Sequence, residues 1–246
     1  MFRAKLPVDN DSKSLIDEAF TFFDKIYSFE QFQKFDTILP TQEFFITQKL
    51  ENENDVGEVF ESVCSYLKVD ATKLNLVIVG SQDILDRMKA PGKYEESGIA
   101  GLYHDGGNDS TKDIVLMVNP EDTLCLVATM AHEICHFILL GGGHLSSAFE
   151  FHEYYTDLLT IYLGFSVFTS HVAFQTAGFN SGMLVGWYSR SSGYLDLRSI
   201  GYATALYSLK KGVMKKMWES YLPTTVRQYY DNSIKWLKRN TNAHTN

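Results

Sequence analysis

The sequence predicts a single α+β domain, with a small mixed sheet in its first part, about residues 1–118, and a helical second part, about residues 119–240. The short apolar runs of strand length lie in the first part, whereas the second part carries successive helix signals. The chain has 246 residues, of which 45% are hydrophobic. This is enough for one sizeable core and requires no second domain.

Four segments before residue 80 are predicted as helices or strands. Apolar residues recur at helical spacing in residues 13–34 and 53–68, which predicts two amphipathic helices. Residues 43–48 are predicted as a strand. The apolar run LNLVIV, Leu74–Val79, ends at Gly80 and predicts a buried strand.

A helix and a hairpin are predicted next. Ser81 is expected to cap a helix that reaches about Ala90 and stops at Pro91. Residues 98–104 and 113–118 are predicted as two strands joined by an Asp-Gly-Gly-Asn turn.

The second part is predicted to consist of helices. Asn119 is expected to cap the first of them, with Pro120 at its first position. This helix should reach about Leu140, where three glycines end it. Further helices are predicted at residues 147–163, 198–217 and 223–239.

Composition narrows the classes of partner and compartment. The net charge is −8 and the pI is about 5.3, which argues against nucleic acid, because phosphate binding needs clustered Lys and Arg. Three cysteines make a poor disulfide framework, and the N-terminus lacks an apolar signal segment, so we expect a cytoplasmic protein. Residues 158–189 carry no Lys, Arg, Asp or Glu, but glycines and polar residues interrupt them. We expect a buried helix and a pocket-lining loop there, and no membrane span.

The segment HEICH, residues 132–136, matches HExxH inside the helix expected after Asn119. His132 and His136 share one helix face and can bind one zinc ion together. Glu133 lies about 100° around the helix from His132 and about 60° from His136. It is thus near the ion without having to bind it, as a general base for metal-bound water should be. The alternative is a core helix with incidental polar groups, but burying them without a compensating charge would be costly. We predict one Zn²⁺ per chain.

Such a site needs a third protein ligand and leaves one position to water. The longer pattern HExxHxxGxxH does not fit, because other residues occupy its glycine and last histidine positions. The acidic and histidine candidates downstream are His144, Glu150, His152, Glu153 and Asp157. Glu153 and Asp157 lie four residues apart, so we favour Glu153 as the ligand and Asp157 as the acceptor that orients a ligand histidine. His152 and Glu150 stay open as third ligands, and Cys135 is interpreted as a small buried hydrophobic residue.

HExxH on one helix, followed by ExxxD on the next, resembles the gluzincin branch of the zincin metallopeptidases, to which thermolysin belongs. The resemblance implies a zincin-like metalloprotease domain with His132, His136 and Glu153 as zinc ligands. It also implies Glu133 as the base and Asp157 as the orienting carboxylate. No residue here matches that family's transition-state histidine.

The wider segment 98–165 also resembles uncharacterised bacterial proteins that carry the pattern AHExxH…E…D…YLGF. Together the resemblances imply a zinc-dependent metallohydrolase, and a peptidase is the favoured kind. Its substrate would be a peptide or protein, and Glu133 would activate the attacking water. An edge strand that pairs with an extended substrate would be residues 114–118 or 98–104. Two alternatives stay open: a zinc hydrolase of a non-peptide amide or other small molecule, and a non-catalytic zinc-binding or interaction module.

The reaction also needs a group that stabilises the oxyanion. We retain Tyr202, near a predicted helix start, and His171, within the charge-free run, as candidates. Other candidates of suitable chemistry are Tyr154, Tyr155, Tyr188 and Arg190.

Overall fold

Eight α-helices and one three-stranded sheet are formed by the residues that the computed structural model describes, namely 5–45, 50, 52–79, 101–104, 111–117, 122–178, 195–213 and 218–243. The helices, in chain order, are α1 (Asn10–Ile26), α2 (Phe29–Gln33), α3 (Glu53–Tyr66), α4 (Thr123–His136), α5 (His152–Tyr162), α6 (Ser166–Gly178), α7 (Leu197–Lys211) and α8 (Thr224–Ala243). The strands are β1 (Leu74–Val79), β2 (Gly101–His104) and β3 (Lys112–Met117). Helices and one small sheet thus occur together, as the α+β prediction requires.

The first predicted helix is interrupted at Ser28, so that α1 and α2 replace one long helix. The Ser28 hydroxyl accepts a hydrogen bond from the Gln31 backbone N–H, and the Gln31 side chain accepts one from the Ser28 backbone N–H. This capping box satisfies helix-start donors in the middle of an apolar periodic run, so a new helix begins there. The strand predicted at residues 43–48 is wrong over its described part, because residues 42–44 form a turn.

The sheet is mixed and has the strand order β1-β3-β2. Strand β3 pairs in parallel with β1 and antiparallel with β2, which places β3 in the centre and β2 at an edge. The antiparallel pairing of the two predicted hairpin strands is therefore confirmed. The helix predicted at residues 81–90 and the turn at residues 105–108 lie outside the described residues.

Helix α4 begins later than predicted. The Asp122 carboxylate accepts a hydrogen bond from the Cys125 backbone N–H at 2.9 Å and caps the helix, so its first residue is Thr123. The start predicted at Asn119 is therefore wrong, and Asn119 itself lies outside the described residues. A single π-helical turn, Phe137–Gly141, continues the helix to the predicted glycine stop.

The later helices follow the prediction with shifted ends. Helix α5 begins five residues after the predicted residue 147, because residues 142–151 form bends and turns instead. Gly212, with φ of 72°, ends α7 in the left-handed conformation that glycine adopts easily. Helix α8 continues past the predicted residue 239 to Ala243.

Helix α4 occupies the centre of the fold and contacts α3, α5, α6 and the strands β2 and β3. With its π-helical turn it is long and apolar enough to cross a membrane, with a mean hydropathy of 1.7, but 61% of it is buried inside the fold. A helix in the core of a protein can have the same length and the same apolar composition. Its neighbour α5 packs on α1, α4, α6 and α7. The facing surfaces of α4 and α5 therefore lie deep in the molecule.

Candidate metal centre

The two histidines of the HExxH segment lie one turn apart near the end of α4. Their ring centroids are 4.7 Å apart and the ring planes are nearly perpendicular. His136 is buried with 7% of its surface exposed, and His132 is only slightly more accessible. The helical spacing of four residues thus places both imidazoles on the face that α5 covers.

Glu153, in the first turn of α5, faces both imidazoles. Its Oε2 atom lies 3.2 Å from His132 Nε2 and 3.2 Å from His136 Nε2. The three ligand atoms lie within 4.8 Å of one another. Two nitrogens and one carboxylate oxygen from two different helices therefore converge on a single point.

The Nδ1 atom of each histidine, on the opposite side of the ring from Glu153, contacts a side chain of α5. His132 Nδ1 lies 2.9 Å from Asp157 Oδ1, and Asp157 has only 2% of its surface exposed. His136 Nδ1 lies 3.2 Å from the hydroxyl oxygen of Thr156, which neighbours Asp157 in α5. Both Nε2 atoms are thus turned towards Glu153. Asp157 was expected in this position from the sequence, whereas Thr156 was not.

Glu133 is buried beside this cluster, with 6% of its surface exposed. Its Oε2 atom accepts a hydrogen bond of 2.7 Å from the backbone N–H of Tyr103 in β2. Burial raises the pKa of the Glu133 carboxyl above its usual range, although His132 and His136 act in the opposite direction. The edge strand β2 thus holds the buried carboxylate of Glu133 through a backbone N–H.

Carboxylates dominate the charge of the cluster. Burial disfavours the cationic form of His132, but Asp157 and Glu153 outweigh this effect and raise its pKa well above the usual range. Burial likewise disfavours the Glu153 carboxylate, but hydrogen bonds from His132 and His136 hold its pKa far below the usual range. Positive charge is therefore stabilised strongly at this point.

The chemistry of the donor set fits a divalent cation. Glu133, Glu153 and Asp157 bring three carboxylates together, and within the described part of the chain no Lys or Arg forms an ion pair with them. Asp157 Oδ2 is buried and has no hydrogen-bond partner among the described residues. Carboxylates in a site of low solvent exposure are unfavourable without positive charge nearby, which a bound cation or a protonated imidazole can supply. The residues His132, His136 and Glu153 could hold such an ion.

The other third-ligand candidates lie outside this convergence. His152 Nδ1 is 2.8 Å from the Phe149 carbonyl oxygen, and its Nε2 is 3.2 Å from the second carboxylate oxygen of Glu153. His144 and Glu150 are exposed in the segment between the two ligand helices. Cys135 is fully buried, and burial raises the pKa of its thiol well above the usual range. These four residues are not members of the three-ligand group.

The candidate oxyanion stabilisers make their contacts elsewhere. The Tyr202 hydroxyl donates to Asp17 Oδ1 at 3.1 Å, and only 1% of the residue is exposed. His171 Nε2 lies 2.8 Å from the carbonyl oxygen of Tyr221. These hydrogen bonds join Tyr202 and His171 to residues other than the ligands, and their oxyanion role stays a prediction. Tyr154 and Tyr155 are buried in α5, and the remaining candidates, Tyr188 and Arg190, lie outside the described residues.

Two contributors could not be identified from the sequence. Tyr103 acts through its backbone N–H, a donor that every residue except proline possesses, so its residue type carries no signal. Thr156 is one of several buried threonines, and only the packing of α5 on α4 places its hydroxyl against a ligand histidine.

Comparison with protein-family models, with curated proteins and with solved structures finds no significant match for this chain.

Proposed function

We propose that this chain is a zinc-dependent metallohydrolase and that its substrates are peptides or proteins. The observation that carries the proposal is the convergence of His132 Nε2, His136 Nε2 and Glu153 Oε2, with the buried Glu133 beside them. Two imidazoles and one carboxylate are a donor set found in catalytic zinc sites, where a fourth position is left to water or substrate. A structural zinc site, by contrast, is closed by four protein ligands.

A zinc ion held there would supply Lewis-acid activation of a water molecule and of the substrate carbonyl. The chain's own contribution is Glu133, which is positioned to accept a proton and to return it to the leaving group. Its hydrogen bond from Tyr103 engages one carboxylate atom, Oε2. A buried carboxylate beside the three ligand atoms is the group that can take part in such a two-way transfer.

The edge strand β2 supports a peptide as substrate. Strand β3 has partners on both sides, so residues 114–117 are not at an edge, and β2 is the better of the two strands predicted to bind substrate. Tyr103 directs its N–H to Glu133 instead of to β3, which means that the outer edge of β2 faces the base. An extended peptide that pairs with this edge would pass beside the cluster.

Metal content is the first test of this proposal. The purified chain, dialysed against trace zinc and analysed by mass spectrometry for metals, should contain one zinc per chain. Glu153→Ala is the matched protein in which the ion should be lost. A zinc content far below one per chain in the wild type would refute the proposal.

Catalysis is tested by Glu133→Gln, which keeps the shape of the side chain and removes the base. We expect the zinc content to stay at one per chain and the cleavage of labelled casein or of a mixed peptide library to fall about 100-fold or more. Glu58→Gln, at an exposed position of α3, is the control for an acidic-to-amide change away from the site. Equal cleavage by wild type and Glu133→Gln would contradict the assigned role. Stoichiometric zinc with no peptide cleavage would favour a non-peptide substrate instead.

A further inference from the structure

The two ligand histidines are oriented by chemically different partners. His132 faces the carboxylate of Asp157, which can only accept a hydrogen bond while it is ionised. His136 faces the hydroxyl of Thr156, which can in principle either donate or accept. The direction of the second hydrogen bond therefore decides which nitrogen of His136 carries the proton.

A third group fixes this direction. The Thr156 hydroxyl oxygen lies 2.8 Å from the backbone carbonyl oxygen of His152, one helical turn earlier, and donates its only proton there. The hydroxyl oxygen is then left as an acceptor for His136, 3.2 Å away. His136 must accordingly carry its hydrogen on Nδ1, which leaves a free lone pair on Nε2.

We propose that Thr156 is a positioning residue of the metal centre, whose back-bonded hydroxyl fixes the tautomer and ring orientation of His136. The inference rests on the proposed zinc site and extends it to Thr156, which occupies a position of the ExxxD segment that the pattern leaves unspecified. Thr156 is fully buried, so no water replaces its hydroxyl as an acceptor when the side chain is changed. Without that acceptor, the His136 tautomer with its hydrogen on Nε2 becomes more populated. That tautomer cannot bind the ion through Nε2.

The variant Thr156→Val removes the hydroxyl and keeps the shape of the side chain. The His152 carbonyl still accepts its helical hydrogen bond, so the change is confined to His136. We expect the zinc dissociation constant, measured by competition with a chelating dye, to rise about 10–100-fold, as for other residues that orient a metal ligand. Thr156→Ser retains the hydroxyl and should restore an affinity close to that of the wild type.

Thr129→Val is the matched control. Thr129 is a buried threonine of α4 whose hydroxyl donates to the Cys125 carbonyl, also one turn earlier, at 2.8 Å, and within the described part of the chain it makes no hydrogen bond to a histidine. The control should therefore share the cost of losing a back-bonded hydroxyl and keep the wild-type zinc affinity. Wild-type affinity in Thr156→Val, in a wild type that binds one zinc, would overturn this inference alone. Absence of zinc from the wild type would instead refute the proposed function.

A second measurement needs no substitution. Long-range proton–nitrogen correlation of the zinc-loaded wild type should give His136 with a protonated Nδ1 and with Nε2 bound to the metal. A His136 ring with its proton on Nε2 would overturn the inference even where Thr156→Val fails to fold.

Discussion

At the residue scale, Glu153 is the residue on which the centre depends most. A single oxygen of its carboxylate lies 3.2 Å from both ligand nitrogens, and the two histidines alone form only an incomplete site. The HExxH pattern makes the histidines and Glu133 predictable, because helical spacing alone brings them together. The choice of Glu153 over its neighbour His152 depends on the angle at which α5 meets α4, and no sequence period specifies that angle.

Replacement of Glu153 and of His152 separates these two candidates. We expect Glu153→Ala to weaken zinc binding by more than the roughly 10–100-fold typical of a residue that only orients a ligand. His152→Ala should keep one zinc per chain. In the wild type, His152 Nδ1 bonds to the Phe149 carbonyl oxygen and His152 Nε2 contacts Glu153 Oε1, which is not the oxygen that faces the two ligand histidines. Calorimetric titration with zinc measures the affinity and the stoichiometry of binding in both variants. The reverse order of effects would make His152 the third ligand.

At the element scale, the sequence was most informative where one signal acted alone. Strand β1 and the glycine stop after α4 have the predicted ends, because an apolar run and a glycine cluster face no competing signal. The break between α1 and α2 was not predicted, since the capping box at Ser28 interrupts a periodic apolar stripe. Likewise, Asn119 and Asp122 are both good caps, and only the structure selects Asp122.

The turn between the ligand helix α5 and α6 depends on Gly164. Its φ is +100°, and a Cβ atom built there would lie 2.0 Å from the backbone carbonyl oxygen of Asp36. We expect Gly164→Ala to lower the free energy of unfolding by about 2–4 kcal/mol, from backbone strain and overpacking together. Urea denaturation measures the change.

Gly212→Ala is the control for the strain alone. Gly212 has φ of +72° at the end of α7, but a Cβ atom there would meet nothing within 4 Å. Its replacement should cost only about 1–2 kcal/mol, the penalty of a left-handed conformation for a residue with a side chain. Equal costs at the two glycines would show that the close approach of Asp36 does not matter.

At the scale of the whole molecule, the candidate centre ties together elements that are far apart in the chain. Helix α4 supplies two ligand atoms, α5 supplies the third, and β2 holds the base. Helix α4 also contacts α3, α6 and the sheet, while α5 contacts α1 and α7. An ion at this point would therefore crosslink the two helices around which the other elements pack.

Zinc should for this reason stabilise the entire fold and not only the site. A ligand that binds the folded chain alone contributes about 4 kcal/mol at a free concentration 1,000 times its dissociation constant. For a chain of 246 residues this corresponds to a rise in Tm of about 8–16 °C. Calorimetric scans with zinc and with a chelator should differ by that amount in the wild type, and the difference should be much smaller in Glu153→Ala. A wild-type Tm that is indifferent to chelation would mean that no tightly bound ion links α4 to α5, because a ligand of the folded state alone must raise the unfolding temperature.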